Sequence, residues 1–150
     1  MSNERRTSGD HATRHRARHA ALQMLYQWEI GRAGVHEAIV TYWASREPDE
    51  RLGEPQEAFA NELVRGTVSR VEEIDRMLAD RARNWRVERM AVLDRLVLRL
   101  AVYELLAQPD TPARVIINEA IELARAYSGE EAVGFVNGIL DALRKDLGRE

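Results

Sequence analysis

Apolar residues recur at helical spacing along nearly the whole chain, and no sustained alternation of period two survives anywhere. Ala17, Ala21, Met24, Leu25 and Trp28 mark one face of a helix that Thr13 is placed to cap and that Gly31 and Gly34 end. Val35, Ile39, Val40 and Trp43 mark a second, weaker helix, stopping before Pro48. The polar stretch 47–55 reads as a loop. A third helix carries Phe59, Leu63, Val64 and Val68, and a fourth follows closely with Val71, Ile74 and Leu78. Residues 81–89 show little pattern beyond Trp85 and Val87, and the spacing predicts a link between two halves there.

From Met90 to Ala107 the chain is apolar nearly all round, and Asp94, Arg95, Arg99 and Glu104 leave only a narrow polar strip. Such a helix is predicted to be the buried centre of its half. Thr111 followed by Pro112 reads as an N-cap with proline at the first helical position, opening a helix that carries Val115, Ile117, Ile121 and Ala124. Ser128 and Glu131 resemble a capping box for the last helix, whose stripe is Val133, Val136, Leu140, Leu143 and Leu147. The pattern therefore predicts an all-α fold of about seven helices in two packed three-helix-like halves. Residues 1–12 are expected to be a flexible basic tail, and 13–150 a single all-helical domain. Asn118, Asn137 and Gly138 interrupt apolar runs, which predicts buried amides tying helices together and a glycine permitting close contact. Glu119 and Glu122 read as solvated or capping carboxylates.

Composition narrows the function more than the fold. With 150 residues, 45% apolar and 31% charged, the chain has the balance of a globular domain. It has no cysteine, so disulfides and thiolate metal sites are excluded. The N-terminus has no apolar signal segment, and charges interrupt the longest apolar run, so neither secretion nor a membrane span is expected and the location is expected to be cytoplasmic. Glycines form neither a dinucleotide fingerprint nor a phosphate loop. No catalytic motif is present, and an enzyme is not expected; no cofactor is implied.

Charge is distributed unevenly. The first 20 residues hold five arginines against Glu4 and Asp10, a local balance of +3. The chain as a whole is −3, so the remaining 130 residues carry −6. A basic end on an acidic body points to a polyanionic ligand that meets one end only. Arginine suits phosphate because its guanidinium pairs bidentately. The preference for it here is general, however, with 21 Arg and only Lys145. The N-terminal cluster, and not the total, therefore points to phosphate.

On a helical wheel, Arg16, His19, Gln23 and Gln27 lie opposite the apolar stripe, and His15, His19, Leu22 and Tyr26 form a neighbouring ridge. Arginine and imidazole there would meet phosphates, with Tyr26 stacking on an unpaired base. A free imidazole titrates near about 6.5, so His15 and His19 would add charge as the pH falls. The alternative is a solvated first turn with Tyr26 anchoring the helix to a neighbour. His11, His15 and His19 fall at i, i+4 and i+8, a spacing that can hold a metal, but no nearby carboxylate or cysteine completes the set, and no metal site is expected.

Taken together, four segments resemble the NusB family of transcription antitermination factors. They are Arg14-x-Arg-Ala-Arg18 running into Ala21-Leu-Gln-x-Leu-Tyr26, Leu93-Asp-Arg-x-x-Leu-Arg99-Leu-Ala-x-Tyr-Glu-Leu105, Ile117-Asn-Glu-Ala-Ile-Glu-Leu-Ala124, and Phe135-Val-Asn-Gly-Ile-Leu-Asp141. The resemblance implies an all-helical protein that binds single-stranded boxA RNA of nascent ribosomal RNA transcripts together with the ribosomal protein NusE, within the antitermination complex on RNA polymerase. By motif position it implies RNA contacts at Arg14, Arg16, Arg18 and Phe135, with His15 standing where many relatives continue the arginine run. Tyr26 and Asp94, with Arg95 beside it, would face the partner. Pairing as a homodimer is left open by the resemblance. Two alternatives remain: a protein-only interaction module, and an RNA-binding domain detached from a ribosomal RNA methyltransferase. No methyltransferase sequence follows residue 150, which disfavours the latter. Residues 44–58 match nothing distinctive.

Overall fold

The computed structural model describes the backbone of residues 2–82 and 87–150, and side chains from Arg14 onward within those ranges. Seven α-helices are present among them: α1 Ser2–Ile30, α2 Val35–Ala44, α3 Glu54–Ser69, α4 Val71–Arg81, α5 Val92–Ala107, α6 Ala113–Tyr127 and α7 Glu131–Asp146, with short 3₁₀ turns at Pro48–Glu50 and Val87–Arg89. No strand occurs among the described residues. The all-α expectation holds. The expectation of a flexible tail over residues 1–12 falls on side chains outside that description. Thr13, the expected cap, lies within α1.

The chain divides into two compact units, residues 1–65 and 66–150. The division lies within α3 and not at 81–89, where the sequence pattern weakens. The reason is α4, which packs on α5 and α7 within the second unit. Its Ile74 and Leu78 are fully buried, and its Arg81 pairs with Asp146 of α7. Trp85 and the residues around it lie outside the described set.

In the first unit α1 packs against α2, burying Ala17, Ala21, Met24, Leu25, Ala38, Ile39 and Trp43. Val40, grouped with that stripe by spacing, is 52% exposed. In the second unit α5 is the centre, contacting α4, α6 and α7, and every residue from Arg95 to Leu105 is buried. The polar strip of this helix is therefore mostly interior. Arg99 donates from Nε and one Nη to both carboxylate oxygens of Asp75 on α4, at 2.8 Å each, which satisfies a cation that burial alone would penalise. Glu104 is also buried.

Three local expectations are corrected. Ser128 closes α6 instead of capping α7, because Gly129 adopts φ +109 and turns the chain out of the helix. Glu119 is buried, whereas Glu122 is exposed as expected. Asn118, Asn137 and Gly138 are exposed, and a Cβ at Gly138 would meet nothing within 4 Å, so they tie no helices together. Nothing in the structure explains these three residues.

The C-terminal residues close the second unit. The guanidinium of Arg149 donates to the backbone carbonyls of Leu105, Gln108 and Thr111, acceptors at and just beyond the end of α5 that have no helical donor. Arg149→Ala is expected to lower stability by about 1 kcal/mol, the usual scale for a cation on such carbonyls. Thermal unfolding of the variant checks this, and an unchanged midpoint would show that water serves those carbonyls equally well.

Candidate nucleic-acid interface

The arginines of α1 separate into two environments. Arg14 and Arg16 are exposed. Arg18 is only 1% exposed. The guanidinium of Arg14 lies 4.9 Å from the ring centroid of Phe59 on α3, and that of Arg18 lies 5.7 Å from the same ring. One aromatic side chain thus serves two cations of the basic segment. Arg18, expected by motif position among the RNA contacts, is thus enclosed in the free chain. It sits one turn before Leu22 and beside Ala17 and Ala21, all buried, and a guanidinium enclosed there supports the helix from within. Phe59 was legible only as a position in an apolar stripe. Its role depends on a packing of α3 against α1 that helical period does not encode.

His15 and His19 are half-buried and meet through their Nε2 atoms at 3.0 Å. They line an open cleft of about 300 Å³ together with Arg16, Ala20, Tyr42, Trp43, Glu50 and Leu52, all within the first unit. Its walls are braced from several sides. Tyr42 Oη donates to Gln23 Oε1 at 2.8 Å and Trp43 Nε1 to Asn61 Oδ1 at 2.7 Å. Arg46 lies over the Tyr42 ring and Arg51 over the Trp43 ring. Arg51 also donates to both carboxylate oxygens of Glu57 at 2.7 Å, and Leu52 N–H donates to the same group. The hydrogen bonds from Arg51 hold the Glu57 carboxyl below its ordinary range. A lowered folded-state value means that this brace is present at neutral pH and weakens as the pH falls through that value. The segment 44–58, which matched no motif, therefore supplies one wall of the cleft, and this required knowledge of the fold.

Tyr26 is 39% exposed on α1, as a contact residue requires. The remaining candidates lie in the second unit. Phe135, near the start of α7, is half-buried. Asp94 and Arg95 do not form the ion pair that their adjacency suggests, because neighbours at i and i+1 on a helix do not face each other. Arg95, expected beside Asp94 on a partner face, is buried and donates to the carbonyl of Val87 at 3.4 Å. Asp94 is half-buried, and its Oδ1 is enclosed without a hydrogen-bond partner. An unpaired acceptor of this kind costs free energy until a donor arrives.

The architecture and these segments have counterparts among known proteins. The profile of the NusB family matches residues 15–145. The chain belongs to the NusB family. It is 46% identical over 136 residues to the transcription antitermination protein NusB of Solibacter usitatus, covering 91% of each chain. NusB of T. maritima superposes with a TM-score of 0.80 at 34% identity, over 89% of this chain and 91% of that one. A structure of the antitermination factors NusB and NusE in complex with dsRNA superposes with a TM-score of 0.81 at 26% identity, over 90% and 98% of the two chains. Among the described residues, no helix is long and apolar enough to cross a membrane.

Proposed function

We propose that this NusB-family chain is a transcription antitermination factor that binds boxA RNA of nascent ribosomal RNA transcripts jointly with the ribosomal protein NusE. The observation that carries the reading is the exposed pair Arg14 and Arg16 on α1, at the basic end of an otherwise acidic chain, in a fold shared with a NusB solved together with NusE and RNA. Arg14 and Arg16 contact phosphates. His15 borders them, and Phe135 and Tyr26 offer ring faces to unpaired bases. Tyr26 and Asp94 serve the protein partner. The role is one of binding and not of catalysis.

The deciding experiment is a salt titration of boxA RNA binding by the full chain, with and without NusE. Salt-sensitive binding by the chain alone that tightens with NusE is the expected result. Binding of NusE with no affinity for RNA under any salt condition would leave a protein-only module.

Asp94 gives a separate test of the partner face. Asp94 is half-buried on α5, and reversing its charge, Asp94→Lys, is expected to weaken that complex by more than about 1 kcal/mol while RNA binding by the isolated chain barely changes. Calorimetry with each ligand, alongside thermal unfolding, separates the outcomes. Lost stability with partner affinity intact would assign Asp94 to the fold.

A further inference from the structure

His15 and His19 stand one turn apart on α1, and their Nε2 atoms meet at 3.0 Å. The ring centroids are 4.5 Å apart and the planes are inclined by 65°, so the rings meet edge to face, each presenting the same nitrogen. As a neutral pair, one Nε2 carries a hydrogen and donates it while the other accepts. The same separation is that of two neighbouring ligands on one metal ion. Nitrogens about 2.1 Å from an ion stand about 3.0 Å apart at a right angle and about 3.4 Å apart at the tetrahedral angle. A small rotation of either ring covers that range.

The geometry points to a bidentate imidazole site on α1 for a divalent transition-metal ion of the Zn²⁺, Ni²⁺ or Cu²⁺ class. Imidazole nitrogen selects these ions, whereas Mg²⁺ and Ca²⁺ favour oxygen donors. His15 and His19 both line the cleft of about 300 Å³, which has room for an ion and several waters. Arg16 and Glu50 line the same cleft, and their opposite charges offset, so a dication does not enter a wholly basic surface. Among the described residues, no three His, Cys, Asp or Glu side chains converge on one point. Water therefore completes the coordination shell, and the ion stays exchangeable. To ligate, the donating ring moves its hydrogen from Nε2 to Nδ1, so both rings bind as neutral imidazoles with no net change of charge. Residue spacing alone argued against a metal here, because no carboxylate or cysteine nearby in sequence completes a set. The fold adds what spacing lacks, namely two nitrogens 3.0 Å apart on residues that line a cleft. This inference does not depend on RNA binding.

The test is calorimetric titration of the full chain with Ni²⁺ and with Zn²⁺ at pH 7.5 in a non-chelating buffer, for the parent and for His15→Gln, His19→Gln and the double variant. One ion per chain is expected. Each single variant should lose at least about tenfold in affinity, since even changes to groups behind a ligand cost about 10- to 100-fold. His11 and His36 remain in every variant, so undiminished binding in the double variant would place the ion elsewhere and overturn the proposal. In the unmodified chain, substoichiometric Ni²⁺ should broaden the NMR signals of Ala20 and Leu52 before those of α2 residues away from the cleft. No binding up to millimolar metal, or broadening centred on His36, would equally overturn it, whatever the variants do.

Discussion

Gly66→Ala is expected to destabilise the second unit, although alanine is the better helix former. Gly66 lies in α3, and a Cβ there would fall on the Tyr103 ring, against Cζ, Oη and Cε1. Tyr103 is only 6% exposed within the buried run of α5, so its ring has no free space to swing into. Overpacking of this kind costs about 3 kcal/mol, and the gain in helix propensity returns only about 1 kcal/mol. The expected net loss is about 2 kcal/mol, read by denaturant or thermal unfolding. A double-mutant cycle isolates the cause: in a Tyr103→Ala background the same Gly66→Ala change should become neutral or stabilising. Gly138 provides the contrast. Nothing lies within 4 Å of its would-be Cβ, so Gly138→Ala should stabilise α7 by up to about 1 kcal/mol. If Gly66→Ala proved neutral in the parent chain, the close approach of α3 to Tyr103 would be wrong.

These two glycines also show where a sequence stops being legible. Both sit inside helical patterns, and periodicity cannot distinguish the one pressed against a ring from the one facing solvent. The helices themselves were legible because each carries its own period, and α5 was legible as a centre because it is apolar on nearly every side. Charges on that helix were harder to read. Arg99 lies in the narrow polar strip of α5, and its counter-charge, Asp75, comes from the preceding helix and makes an interior position tolerable. The enclosure of Arg18 was illegible for the same reason: the ring that receives it, Phe59, is 41 positions away in the sequence. The division into two units was misplaced because weak local pattern marks a connection, whereas unit boundaries depend on which helices pack together. The basic cluster remained legible throughout, since charge density is a local property and Arg14 and Arg16 are exposed.

That separation of the arginines sharpens the expected response of RNA binding. Each phosphate contact to a single strand contributes about 0.7 to the salt slope. Three equivalent arginines would therefore account for about two units, but the buried position of Arg18 leaves two at the surface. Changing Arg14 and Arg16 together to Ala should reduce the slope by about 1.4. If affinities converge near 1 M salt, this corresponds to binding about 25-fold weaker at 0.1 M. Arg18→Ala should behave differently. It removes a guanidinium from a closed environment over Phe59, so it should lower the unfolding temperature while leaving the slope of the folded protein nearly unchanged. Binding isotherms from 50 to 400 mM salt, collected well below each variant's unfolding transition, distinguish the two effects. A slope unchanged by loss of Arg14 and Arg16 would remove α1 from the RNA interface. A slope that fell equally for Arg18→Ala would mean that α1 opens on binding and releases Arg18 to a phosphate.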